Sequence, residues 1–334
     1  MREKVHALAQ LGGTRRDLWR KALVLSAVLL CLLLLCPTPA YAFNIFDIEG
    51  SIKEWLGDIV NNFMADYVEN VNAISTDNLL SGDFSNLFGD GTGAESVWGV
   101  ITAVHQSVLI PLGESILVFV MLVQVVKISQ KIDAQATLPT VKEILFLAAF
   151  YVIFHWLINN SLDLCSAVFT EAGKITTALS GGNADVQGAL TLIENPRDYS
   201  IGQLITLMIT TAFVQLIGVF ACVVAFVMAA ARALQLYAMA TFSPIPFALL
   251  GFEETRSMGI NFCKNFIAVC LAGAIMVFLL TIFPGLMTSV ISQGLGDPTS
   301  VLAAANLAKI IGLPLLLMLG LIKSGSWARD IMGG

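Results

Sequence analysis

The stretch from Gln203 to Ala230 reads QLITLMITTAFVQLIGVFACVVAFVMAA, 28 residues without one Asp, Glu, Lys or Arg. A helix crossing a hydrocarbon core of about 30 Å needs roughly 20 mainly apolar residues. This stretch is long enough and even enough to be such a helix, and its reading decides the class of the protein. Four more runs of similar character lie at about 101–126, 143–163, 265–291 and 301–322, with a shorter one at 22–36. Strands of membrane β-barrels are segments of about 10 residues with strict alternation. These runs are too long and too uniform for that, so the fold class is all-α: a polytopic helical membrane protein with about five transmembrane helices.

Composition supports the same class. Apolar residues make up 57% of the 334, charged residues only 13%, and the mean hydropathy is +0.81. A soluble domain carries about 25% charged residues, and a soluble chain of this length could not hide so much apolar surface. The six cysteines form no CxxC or His/Cys cluster. Cys31 and Cys36 fall in the first run, Cys222 and Cys270 within spans, Cys263 just before one, and Cys165 near an outer surface. They read as small buried hydrophobes. The only histidines are His6, His105 and His155, and no GxSxG, Walker loop, HExxH or carboxylate dyad occurs. The sequence therefore implies no enzyme, no cofactor and no metal, and it lacks a basic patch for nucleic acid beyond its N-terminus.

The N-terminus reads as an export signal. Arg2, Lys4, Arg15, Arg16, Arg20 and Lys21 precede a 15-residue Leu-rich core, Ala22 to Cys36, and Ala40-Tyr41-Ala42 supplies an A-x-A cleavage site. Residues 1–42 are then a signal peptide, with Ala40 and Ala42 marking cleavage. The alternative is an uncleaved anchor, which adds a sixth span and keeps the later orientation. Arg15-Arg16 resembles a twin-arginine signal, but the core is very Leu-rich. Leu33-Leu34-Leu35-Cys36 resembles a lipoprotein site only loosely, with no small residue before Cys36.

With residues 43–100 outside, alternating spans leave 127–142, 231–264 and 323–334 in the cytoplasm. Those stretches hold Lys127, Lys131, Lys142, Arg232, Arg256, Lys264, Lys323 and Arg329, eight basic residues. The outer stretches, with the outer end of the last span, hold Lys53, Lys174, Arg197 and Lys309, four. The excess on the inner side agrees with the export signal. The expected location is the cell membrane, with the N-terminal segment extracytoplasmic and the C-terminus cytoplasmic. Segment 43–100 carries ten Asp and Glu against one Lys. In it Ile45, Ile48, Ile52, Trp55, Leu56, Ile59, Phe63, Tyr67 and Val71 recur at helical spacing. An anionic amphipathic helix is a poor partner for anionic lipid, so it is expected on the protein's own outer loops or on another subunit. Residues 75–96 read as a loop, as does an outer connection at 164–202. The transmembrane domain is 101–334.

Polar groups inside spans are costly and draw attention. Glu114, after Pro111 and Gly113, must face protein or water: either a pore or ion-coupling group, or a hydrogen bond to a neighbouring helix. His155 reads as a packed interior group before a proton relay. Gln124 and Gln215 read as interhelical hydrogen-bonding groups, and Ala221, Ala225 and Ala229 form a small-residue stripe that admits a close neighbour.

Between the third and fourth spans lies RALQLYAMATFSPIPFALLGFEETRSMGINFCKNF, residues 232–266. Residues 233–252 are apolar enough to suggest a span, but counting one here would put Lys323 and Arg329 outside. Pro244 and Pro246 interrupt a regular helix. The element at 232–252 is expected to be interfacial, on the cytoplasmic side. The combination of Arg232, Tyr237, Pro244-x-Pro246, Gly251, Gly259 and Lys264 resembles the TrbL-like family, relatives of the sixth subunit of VirB-type channels. The family's layout, an outer N-terminus, about five spans and a cytoplasmic C-terminus, is similar to the one derived from charge.

The resemblance implies a membrane channel or scaffold component of a conjugative type IV secretion system, supporting transfer of a DNA–protein substrate. It implies an oligomer whose partners are other secretion-system subunits in and outside the membrane, partner ATPases and the transferred DNA–protein substrate. Ordinary positive-inside anchoring competes with partner or headgroup contact as the role of Arg232 and Lys264. The alternative function is a secondary transporter or ion channel. Such folds show broken helices in both of two paired repeats, and the sequence holds one Pro-x-Pro break.

Overall fold

Ser200 and Gln203 start the longest helix. The Ser200 hydroxyl accepts from the Gln203 amide and the Gln203 side chain accepts from the Ser200 amide, a reciprocal cap. The helix then runs unbroken to Thr241, because nothing before Pro244 opposes it. In the computed structural model, residues 47–75, 78–135, 141–181, 192–252, 254–294 and 304–333 are described. The basic leader, the first apolar run, Ala40 and Ala42 lie outside them. Among the described residues the regular structure is helical: α1 (Ile48–Ser75), α2 (Asn78–Ser81), α3 (Val97–Val104), α4 (Ile110–Gln135), α5 (Val141–Asn159), α6 (Ser161–Gly181), α7 (Ile201–Thr241), α8 (Pro244–Leu249), α9 (Arg256–Gly294) and α10 (Ala304–Ile331). A π turn, His105–Leu109, joins α3 to α4.

Among the described residues, four stretches are long and apolar enough to cross a membrane: Val97–Gln130, Ile201–Thr241, Arg256–Val290 and Ala308–Ile331. Leu145–Asn159 and Ser161–Leu179 make a fifth if the pair, bent by 67°, is one span. The bend falls at Asn159-Asn160. Both side-chain amides donate back to the carbonyls four residues earlier, those of His155 and Trp156, a local bond that competes with the regular ladder.

Three features, two of them boundaries, differ from the sequence reading. The connection expected at 164–202 is helical as far as Gly181. Residues 232–241, expected in an interfacial element, are the last turns of α7, so that element shrinks to the short α8 and its flanking turns. Pro244 has no N–H for the Ala240 carbonyl. The buried Ser243 donates to it instead, through its hydroxyl at 2.7 Å and its own amide at 3.3 Å, so the helix can end in the interior without an orphaned carbonyl.

The third difference concerns α1. Its apolar stripe packs on α7 and α9. Tyr67 lies against Gly218 in mid-α7 and meets the Phe283 ring edge-on at 5.6 Å. Ile59 and Phe63 cluster with Ala212. Glu54 pairs with Arg197 just before α7, at 2.9 Å, and Phe84 packs on Tyr237 near the end of α7, at 5.6 Å. The chain from Glu54 to Phe84 thus follows α7 along nearly its whole length. Val60, Met64, Tyr67 and Val71 are at most 1% exposed, and each such large side chain contributes about 1.5–3 kcal/mol by leaving water. That stripe explains why the segment joins the protein's own apolar helices.

α9 packs on α10, α6 and α7, and α10 also packs on α7. Ala221, Ala225 and Ala229 are buried on the inner face of α7, as their spacing suggested. A second, smaller core joins Leu117 and Met121 of α4, Ile158 of α5, and Phe247, Ala248 and Phe252 around α8. Cys165, Cys222, Cys263 and Cys270 are free thiols, buried or half-buried.

Candidate functional site at the Pro-x-Pro junction

α8 sits where the large core meets the small one, and glycines make room for it on three sides. A methyl group at Gly113 of α4 would lie 2.9 Å from the Pro244 Cβ and 3.0 Å from its carbonyl oxygen. One at Gly259 of α9 would lie 2.8 Å from the Pro246 carbonyl oxygen. One at Gly251 would lie 2.9 Å from the ring of Phe154 on α5. Such distances are shorter than carbon packing permits. Phe247 completes the contact by meeting Phe262 edge-on at 5.8 Å. The Pro-x-Pro element is therefore a wedge, touched by α4, α5 and α9 at once.

Tyr237 lies two turns before the wedge and gathers the chain that precedes α3. Its hydroxyl accepts from the Leu87 amide at 3.1 Å, and its ring is ringed by Phe84, Phe88 and Trp98 at 5.6–5.8 Å. Arg232, one turn further back, is 7% exposed. Its Nε donates to the Val269 carbonyl at 2.8 Å and its Nη2 to the Cys270 carbonyl at 3.1 Å, both on α9. The guanidinium lies over Gly273, where any side chain would collide with it. Lys264 is exposed near the start of α9.

A polar group forms beside the wedge. His155 Nδ1 stands 3.3 Å from Glu114 Oε1, and Asn159 donates to the same oxygen at 3.0 Å. Glu114 and His155 were picked out separately as polar groups inside spans; the fold brings them together from α4 and α5, both half-exposed. His105, in the π turn, is buried. Its Nδ1 faces the Thr241 carbonyl at 2.9 Å and therefore carries the proton. Its Nε2 is left to accept from the Ser161 hydroxyl at 3.3 Å. His105 thus ties the end of α7 to the start of α6, and π turns of this kind recur at functional positions. Among the described residues no three His, Cys, Asp or Glu side chains are placed to hold a metal ion.

Sequence reading did not single out His105, Asn159, Ser161, Gly113 or Gly273. The Asn159-Asn160 pair inside an apolar run was the one visible signal among them. The others depend on which helices meet.

These contacts centre on the end of α7, and that end closes the stretch that matches a family model. Residues 92–244 match the family model described as TrbL/VirB6 plasmid conjugal transfer like protein. Over this stretch the protein is similar to that family. The match covers a little under half of the chain and includes Glu114, His155, Arg232, Tyr237 and Pro244; Pro246, Gly251, Gly259 and Lys264 follow it. Neither the curated proteins nor the solved structures gave a match.

Proposed function

We propose that this TrbL/VirB6-like protein is a channel or scaffold subunit of a conjugative type IV secretion system, supporting passage of a DNA–protein substrate. The family match over 92–244 carries the reading. Its work is assembly, not catalysis. The polytopic bundle packs with other secretion-system subunits, and partner ATPases supply the energy. The wedge at α8 gives the assembly a rigid joint, because α4, α5 and α9 meet it through glycine contacts that leave little play.

The orientation proposed for the α8 end is the one charge favours; Phe84 and Trp98, which pack on Tyr237 near that end, lie on its side of α7 and not beside Glu54. Lys127, Glu254 and Arg256 gather at the α8 end, where Lys127 pairs with Glu254; Lys264, Lys323 and Arg329 lie on the helix turns nearest that end. Asp47, Glu54 and Arg197 gather at the opposite end. The excess of basic charge supports a cytoplasmic α8 end.

The test is deletion of the gene in a mating-competent donor, with complementation, scoring DNA transfer and solute uptake together. Loss of transfer with normal uptake is expected. Undiminished transfer frequency overturns the proposal, and a selective loss of uptake favours a transporter.

A further inference from the structure

Arg232 is a buried cation with no anion. Both of its hydrogen bonds go to backbone carbonyls of α9, and its Nη1 has no partner. Among the described residues no carboxylate lies within ion-pair distance of it or of Arg329. A buried charge is retained only when something compensates its lost hydration, and two carbonyl dipoles do so in part.

Arg232 forms part of the wall of a cleft of about 330 Å³ between α7, α9 and α10. The other polar groups of that wall are Gln235, Asn265, Ser324 and Arg329, with no Asp or Glu. Arg329 is exposed, its Nε only weakly engaged by the Gly325 carbonyl at 3.4 Å. The Ser324 hydroxyl is spent on the Leu321 carbonyl at 2.7 Å, so the lining offers two guanidinium groups and two amides, a donor-rich set that suits a phosphate-type oxyanion. Exposed Lys264, Lys323 and Asp330 stand next in sequence to lining residues, so the charge around the cleft is still positive on balance. The helices that form the cleft also carry exposed apolar side chains, among them Val227 on α7 and Leu319 on α10. Basic pockets between transmembrane helices at the cytoplasmic level are where anionic headgroups bind.

We propose that this cleft binds a phosphate-type oxyanion between Arg232 and Arg329, supplied by the headgroup of an anionic phospholipid. The inference rests on the membrane architecture and stands apart from the conjugation reading, so the two fail separately.

The full chain, purified in an uncharged detergent, is melted with increasing dioctanoyl phosphatidylglycerol, with dioctanoylglycerol (the same chains, no phosphate), and with inorganic phosphate. A saturable rise in Tm with phosphatidylglycerol alone is expected, and assigns the oxyanion to lipid. An equal rise with inorganic phosphate supports the site but assigns it to a free anion. Arg329→Gln removes a charge at the exposed mouth and leaves the core intact; it is expected to raise the half-maximal concentration about tenfold, the scale of one charged hydrogen bond. Arg232→Met is expected to abolish the shift. An equal response to dioctanoylglycerol overturns the proposal, as does an unchanged half-maximal concentration in a folded Arg329→Gln protein.

Discussion

The packing of α1 along α7 stands or falls on one contact, between Tyr67 and Gly218. A Cβ at position 218 would lie inside the van der Waals surface of the Tyr67 ring. That ring cannot retreat, because it is 1% exposed and held edge-on by Phe283 at 5.6 Å. Glycine in a helix interior is unfavourable by about 1 kcal/mol relative to alanine, so on propensity alone Gly218→Ala stabilises. Overpacking a filled core costs about 1–3 kcal/mol, enough to reverse the sign, and Gly218→Val adds two further methyl groups to the same collision. Tyr67→Ala removes the ring and leaves a cavity, at a cost of about 3–5 kcal/mol by analogy with other buried aromatic truncations. Combining Tyr67→Ala with Gly218→Val lets the new side chain occupy that space, so the double variant should be more stable than the sum of the two losses by about 0.5–3 kcal/mol. Tyr67→Phe provides the control. The hydroxyl is buried without a partner, and its removal should leave stability unchanged or raise it by about 1–3 kcal/mol. The assay is thermal or denaturant unfolding in detergent followed by tryptophan fluorescence. If Gly218→Val melts as the parent does, or if the two losses simply add, α1 does not pack where it is described.

Three further outcomes follow from other contacts. Tyr237→Phe leaves the buried Leu87 amide without its acceptor and should cost about 1–3 kcal/mol in the same melt. Asn61 accepts from the Leu192 and Ile193 amides and donates to the Ile193 carbonyl; Asn61→Ala should expose residues 192–198 to limited proteolysis, with little change in the unfolding of the rest. The carboxyls of Asp58 and Asp66 are both raised above 3.8 by burial, Asp66 also by the nearby Glu69 charge. The folded state therefore holds their protons more tightly, and their contribution to stability falls as pH rises from about 3.8 through the raised folded values. Asp58→Asn with Asp66→Asn should remove that slope, so the gain over the parent is seen at pH 7 and disappears near pH 3.5.

Hydropathy made the spans legible because lipid-facing and core-facing residues are both apolar, and length alone then separates a span from a loop. The same property hides where a span bends or what it meets. α6 escaped notice because Asp163, Glu171 and Lys174 interrupt its apolar pattern, although each is compatible with a helix whose exposed face is polar. The stripe of α1 was legible as a helix, but its partner was not, since periodicity reports a face and not what covers it. Pro244 and Pro246 were read as breakers, whereas Pro244 is the first residue of a helix, a position where a missing N–H costs little. Glu114 and His155 each stood out as a polar group in an apolar run; their proximity follows from the wedge, which sets α4 against α5.

Arg232 shows how one residue can satisfy a rule for a reason the rule does not contain. It counts among the eight basic residues that favour a cytoplasmic α8 end, yet it lies inside α7, buried against the backbone of α9. Taking it out of that tally leaves seven against four, so the proposed orientation does not depend on it. Positive-inside anchoring accounts for exposed side chains such as Lys264 and Lys323, which reach water at an interface. It does not account for a guanidinium laid over Gly273, at a position where alanine would already collide. A glycine that makes space for a charge, two carbonyls that hold it, and a second arginine across an acid-free cleft form one arrangement, and an anion is the component that would balance it.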